Sequence, residues 1–336
     1  MPFKVEKPGA ITRPHRRAPV FSTWRASVVI GLINNMPDAA LEATESQFST
    51  LLGAAAGERD VRLRLSYLPE VKRAPEAQRH LHESYWPLTV LQEDPPDALI
   101  VTGAEPLAAV LDQEPYWDRF VEVLAWANEH TVSSIWSCLA AHAAVQHLSG
   151  IGRQRRDEKF CGVFAHDLLR DHPLNAGLAA PLWTPQSRWN DLPVNKLREA
   201  GYAIASESPV TGANVFTRQR RSLMVFFQGH PEYHSCTLLR EYRRDVARYL
   251  AGTHSQYPTL PQGYFSEPAG ARLAQFRGLA IAQRSPQLIS QFPFEAEARE
   301  LTDTWQASSI ILYANWLSYI EQALQGGASP PRGVMV

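Results

Sequence analysis

Cysteine is scarce in this sequence and nothing groups it. Cys138, Cys161 and Cys236 are the only three among 336 residues, and no CxxC pattern groups them. That argues against a disulfide framework or a structural zinc site and for a reducing compartment. Long apolar runs are missing too. No stretch approaches the length that spans a bilayer, and the opening MPFKVEKPGAITRPHRRAPVF lacks the apolar segment of a secretory leader. Nor is there an excess of either charge. With 33 Lys and Arg against 34 Asp and Glu, the net charge of −1 implies no attraction to nucleic acid or to an anionic membrane. Two short basic runs, Arg153 with Arg155 and Arg156, and Arg218 with Arg220 and Arg221, read as solvated loops. No internal repeat or low-complexity tract is present. The expectation is a cytoplasmic protein with no metal, membrane or nucleic-acid partner, long enough for one large α/β domain or a core with an appendage.

What is present is an α/β rhythm. Residues 1–24, rich in proline and arginine, read as an N-terminal arm over the surface or toward a partner subunit. From there to residue 253 runs the core. Ser27 to Ile33 is a continuous apolar run suited to a central parallel strand, followed by the loop NNMPDAA and a helix over Leu41 to Leu52. Asp60 to Leu68 alternates as a second strand, residues 79–94 read as a helix ending at Pro95-Pro96, and Ala98 to Val101 forms a third strand closed by Thr102-Gly103-Ala104. Tyr116 to Glu129 is an amphipathic helix. This alternation predicts a doubly wound, mostly parallel sheet with ligands beyond the carboxyl ends of its strands. The loops NNMP and TGAEP and the segment around Cys138 then converge on one crevice. Residues 157–230 read as short strands and turns, a helix from about Ser235 to Leu250 closes the core, and 254–336 form a C-terminal extension packing on the core or on a dimer partner.

Two segments carry chemistry. In SSIWSCLAAHAAV an apolar strand runs into an alanine-rich helix, with Cys138 at the turn. Such an elbow lifts one side chain above the sheet edge and points it at a helix N-terminus, whose dipole favours an anion. A nucleophile and a buried, inert thiol both suit that place. Some ninety residues on, in RRSLMVFFQGHPEYH, the strand Leu223 to Phe227 breaks at Gly229 and delivers His230, Pro231 and Glu232. A thiol needs a base, and an imidazole needs a carboxylate to fix its tautomer, so Cys138, His230 and Glu232 form a candidate triad. The alternative is a histidine capping a strand beside a solvated glutamate. His142, behind Cys138, reads as a packed core histidine; Trp117, Trp136 and Trp316 read as core or dimer-contact aromatics.

Several co-linear motifs then make the chain resemble the homoserine O-acyltransferase (homoserine O-succinyltransferase) family of methionine biosynthesis, in the class I glutamine amidotransferase-like superfamily. They are INNMP at Ile33 to Pro37 with LEATESQF behind it, IVTGA at Ile100 to Ala104, and YW at Tyr116-Trp117. The cysteine elbow ending in Gly150-Ile151, EKFCGVF at Glu158 to Phe164 and PxSRW at Pro185 to Trp189 follow. GHPEY at Gly229 to Tyr233, EYRRD at Glu241 to Asp245, and Trp305 with LYANWLSYI complete the series, which covers nearly the whole chain.

The resemblance implies a two-step acyl transfer, from acyl-CoA to the cysteine and then to the hydroxyl of homoserine or a similar amino acid. It implies Cys138 as nucleophile, His230 as general base and acid, and Glu232 as its orienting partner. Backbone N–H groups at Leu139 and near Asn34 or Asn35 would hold the oxyanion. Lys159 matches an active-site lysine, Arg244 the arginine on the acceptor's α-carboxylate, and Ser187 the acceptor loop. No tightly bound cofactor is implied; succinyl-CoA or acetyl-CoA enters as co-substrate, and a homodimer is implied. Read from the residues alone, Lys159 is an exposed loop lysine and Arg244 one more charge on a solvated helix face. The chain departs from the family pattern after the nucleophile, where Leu139, Ala140 and His142 replace tryptophan, glycine and glutamine. Glu105-Pro106 follows TGA where proline usually follows directly, and Val110 falls at or next to the position that helps choose between succinyl and acetyl. The superfamily also holds glutaminases with the same Cys-His-Glu set, though their elbows carry glycines that SCLAA lacks; a noncatalytic binding protein on this fold is the third reading.

Overall fold

The computed structural model describes residues 3–9, 27–169 and 172–326. In chain order the strands of its sheet are β1 (Phe3–Glu6), β2 (Val28–Ile33), β3 (Val61–Ser66), β4 (Ala98–Thr102), β5 (Ser133–Ser137), β6 (Gln154–Leu168), β7 (Leu182–Asp191), β8 (Ala203–Ser208), β9 (Gly212–Gln219) and β10 (Leu223–Phe227). Across the sheet they run β1-β3-β2-β4-β5-β10-β9-β8-β6-β7. The pairings from β1 to β10 are parallel, and those from β10 to β7 are antiparallel. The fold is the α/β class expected, with a parallel centre whose strands are apolar on both faces.

The helices are α1 (Asp38–Ala56), α2 (Pro75–Ser84), α3 (Leu88–Glu93), α4 (Trp117–His130), α5 (Leu139–Ser149), α6 (Val194–Glu199), α7 (Thr237–Leu250), α8 (Glu267–Gln283), α9 (Phe294–Glu300) and α10 (Gln306–Gly326). α4 and α5 bury Val123, Leu124, Ala140 and Ala144 against one face of the sheet, with Trp136 and Phe226 beneath them. α1 and α10 cover the other. Leu312, Tyr313, Trp316, Leu317 and Ile320 recur at helical spacing on α10 and pack with Phe48 and Leu52 of α1. Each such side chain removed from water stabilises by roughly 1.5–3 kcal/mol. Trp136 and Trp316 are thus core residues, and Trp316 Nε1 donates to Ser133 Oγ at 2.9 Å.

Three sequence expectations change. The predicted helix over 79–94 is two helices, because Pro87 interrupts it and starts α3. The predicted short strands of 157–230 include β6 and β7, of 15 and 10 residues. Of the N-terminal arm, Phe3–Glu6 is an edge strand paired with Val61 to Arg64, while residues 10–24 lie outside those described. Among the described residues no helix is long and apolar enough to cross a membrane.

The register explains why the functional segments meet. Thr102, Ser137 and Phe227 stand level across β4, β5 and β10, so Gly103, Cys138 and Gln228 emerge side by side at the carboxyl ends of the strands. The NNMP loop joins them. Asn35 donates through its backbone N–H to Thr102 Oγ1 at 2.8 Å and through Nδ2 to Thr102 O at 3.1 Å, and its Oδ1 accepts from Leu68 N.

Candidate active site

Cys138 sits between β5 and α5 with φ 52° and ψ −112°, a conformation that L side chains avoid. The turn is held by Cys138 N–H donating to Phe227 O at 2.7 Å. Its thiol is half-buried. The TGA loop crosses directly over the start of α5, which only glycine permits: a Cβ on Gly103 would lie 2.4 Å from that of Leu139. Asn35, Thr102, Gly103, Tyr116 and Leu139 line a small hollow beside the elbow.

Gly229 makes the second tight approach, since a Cβ there would meet Gln186 Nε2 at 2.5 Å and Asn214 Oδ1 at 2.6 Å. The chain then turns, with His230 N–H donating to Pro185 O. The His230 and Glu232 side chains are both buried, and His230 Nδ1 donates to Glu232 Oε1 at 2.8 Å. That bond fixes the tautomer and leaves Nε2 for the thiol. Tyr233 stacks on the imidazole at 4.2 Å between centroids. Burial opposes protonation of His230, yet the Cys138 sulfur and the Glu232 carboxylate outweigh it and raise the ring well above the usual 6.5. Cys138 and His230 are therefore neighbours, the sulfur within reach of the ring.

A charged cluster adjoins the pair through Tyr233, whose hydroxyl donates to Glu241 Oε1 at 2.7 Å. Glu241 Oε2 accepts from Ser187 Oγ. Lys159 Nζ lies 3.0 Å from Asp245 Oδ2 and 3.8 Å from Glu241 Oε2. Although burial works against its charge, the two carboxylates hold Lys159 above its usual value. Arg244, about half exposed, contacts Asp245 at 3.2 Å. Tyr233, Glu241 and Asp245 were not singled out from the sequence. EYRRD did hold the signal: positions 241, 244 and 245 share one face of a helix.

Asn35 and Val110 sit otherwise than expected, while His142 is the core histidine expected. Asn35 cannot hold an oxyanion through its backbone, because that N–H is already given to Thr102; Asn34 N–H is likewise given to Ser66 O. Leu139 N–H, first in α5, has no intrahelical acceptor. Val110 is 44% exposed before a short 3-10 helix and is not among the residues that line the hollow at Leu139. His142 is buried on Gln228 Oε1 at 2.9 Å, and burial, aided by Arg188 and Arg153, lowers it to about 3; it is a neutral core residue. Burial pushes Cys161 up to about 12, which leaves it an unreactive thiol. Among the described residues no three His, Cys, Asp or Glu side chains converge as a metal-binding set.

Comparison with known proteins gives the same direction. The sequence profile of homoserine O-succinyltransferase matches residues 22–325. The chain belongs to the homoserine O-succinyltransferase family. It is similar to the homoserine O-succinyltransferase of Rhodopseudomonas palustris, 43% identical over 94% of this chain and 98% of that one, and to that of Bradyrhizobium japonicum, 44% identical over 87% and 90%. Among solved structures, a glutamine amidotransferase from Methylobacillus flagellatus superposes with a TM-score of 0.51 at 14% identity, over 87% of this chain and 94% of that one, a likeness of fold.

The buried histidines set a pH dependence of stability for this family member. Burial lowers His142 to about 3 and His166 to about 4, and partial burial lowers the half-buried His172 to about 4. The unfolded chain protonates these rings near 6.5 while the native state does not, so their stabilisation is complete above that pH and falls as the pH drops toward 4. Each contributes a slope of about 1.4 kcal/mol per pH unit. His230, raised, runs oppositely: its contribution is complete below 6.5 and is lost as pH rises through its folded value, so it offsets nothing in the acid range. Urea unfolding should show a clearly lower midpoint at pH 5 than at pH 7. Equal midpoints would contradict the neutral burial of these rings.

Proposed function

We propose that this chain is a homoserine O-acyltransferase that carries the acyl group on Cys138 between a CoA thioester and the acceptor hydroxyl. The Cys138 thiolate attacks the thioester carbonyl, the carbon–sulfur bond to CoA breaks, and the departing sulfur takes the proton from His230 Nε2. The acceptor hydroxyl then gives its proton to Nε2 and attacks the enzyme thioester, releasing Cys138 and the O-acyl amino acid. Glu232 steadies the imidazolium in both steps. Leu139 N–H serves the oxyanion, with the crossing loop at Thr102 to Ala104 as the source of a second donor in place of Asn35.

The observation that carries this reading is the half-buried thiol on a strained elbow beside an imidazole already braced by a carboxylate. The mixed-charge cluster supports the acceptor class. Arg244 fits an α-carboxylate, and Glu241 with Asp245 fits an ammonium, so a zwitterionic amino acid matches both. Steady-state rates with succinyl-CoA and acetyl-CoA against homoserine and serine test it, with ammonia release from glutamine as the competing activity. Arg244→Ala should raise the KM of the acceptor at least tenfold and leave that of the acyl donor within about twofold, on the scale of a lost charge-assisted pair. Equal effects on both substrates would make Arg244 structural.

A further inference from the structure

The basic run at the start of β6 has a more particular setting than a solvated loop. A bulge separates the Arg155–Asn190 pairing from the Phe160–Arg188 pairing and holds Arg156. The Arg155 guanidinium lies 4.7 Å from the Trp189 ring centroid, Arg156 lies 4.2 Å from that of Phe160, and Arg188 lies 5.0 Å from Phe160. Trp189 is still 40% exposed. Among the described residues neither Arg153 nor Arg155 has a carboxylate within ion-pair distance, and Arg156 meets only Asp191, at 3.9 Å. Asp157 and Glu158 are exposed in the same bulge and pair with none of the three. Guanidinium groups that lie on aromatic faces keep their N–H edges available to an incoming acceptor.

The row runs inward toward the thiol through one member. Arg188, the buried inner member of the row, interacts electrostatically with Cys138. Arg153 acts on His142, one turn along α5 from Cys138, and on Tyr116, which lines the hollow at Leu139. Further along β6, Lys159 belongs to the cluster assigned to the acceptor. The strand thus offers a lysine held between two carboxylates at one end and, at the other, arginines that outnumber theirs: Asp191 is shared by Arg156 at 3.9 Å and Arg188 at 2.9 Å, and Glu114 acts on Arg153 from beyond ion-pair distance. A CoA thioester has a matching division: its reactive carbon ends a long uncharged arm, and its phosphates and adenine lie at the far end.

We propose that Arg153, Arg155 and Arg156, with the open face of Trp189, bind the phosphorylated adenine nucleotide of the acyl donor. The guanidinium forks take phosphate oxygens and the indole stacks on the base. This rests on the donor being a CoA thioester, so the test separates the two claims. Arg155 and Arg156 are exposed, and Arg155→Ala/Arg156→Ala is compared with the unmodified protein using succinyl-CoA and succinyl-N-acetylcysteamine, which lacks the nucleotide. The double variant should lose at least tenfold in kcat/KM with succinyl-CoA and less than twofold with the short thioester, with the acceptor KM unchanged. Trp189→Ala should lose severalfold by the same comparison. Equal losses with both thioesters, or none with succinyl-CoA, overturn the site. If the unmodified protein accepts no CoA thioester, the donor assignment fails by itself, and calorimetric titration with adenosine 3′,5′-bisphosphate decides the site: binding that is lost in the double variant supports it, and no binding to the unmodified protein overturns it.

Discussion

His230→Ala is expected to lower the rate of acyl transfer by about 10²- to 10⁴-fold, the share a positioned general base supplies. The imidazole cannot be replaced from nearby. His142 faces Gln228 and is lowered to about 3, so it stays in the core. Glu232 reaches the thiol only through His230, whose Nδ1 it holds at 2.8 Å. Glu232→Gln should therefore cost less than His230→Ala, because the glutamine still packs beside the ring while losing its charge. Stopped assays at saturating acyl donor and acceptor measure both. A His230→Ala rate within twofold of the unmodified protein would remove the histidine from the chemistry.

Cys138→Ala is expected to abolish transfer altogether while leaving the fold intact. In the proposed mechanism the thiol holds the acyl group between the two half-reactions. The elbow itself depends on Cys138 N–H bonding Phe227 O and on Gly103 passing over Leu139, neither of which uses the sulfur. Cys161 cannot substitute, being buried and pushed up to about 12. Circular dichroism and product formation together separate the outcomes: native signal with no product is expected, and residual turnover above about one part in a thousand would point to direct transfer between the substrates.

The parts of this site that were legible in the sequence are those fixed by local chain geometry. An apolar run meeting alanines marks the elbow at Cys138, and a glycine after Leu223–Phe227 marks the turn that delivers His230 and Glu232. What stayed hidden depends on contacts between distant segments. The N–H of Asn35 is occupied by a threonine hydroxyl 67 residues away, a fact no local pattern contains. Glu241 was visible as a helical charge, but its partners Ser187, Tyr233 and Lys159 come from three other segments. Val110 was placed by counting along a loop, and a loop's path is set by packing rather than by residue number. The edge strand Phe3–Glu6 is too short to announce itself; pairing with β3 makes it one. Pro87, by contrast, was a readable break between α2 and α3.

The thioester is the central claim, and intact-mass measurement after mixing with succinyl-CoA, with no acceptor added, tests it most directly. The expected result is a mass gain of one succinyl group that disappears on adding homoserine and never forms on Cys138→Ala. An unmodified mass throughout, or an adduct that persists on Cys138→Ala, would contradict it.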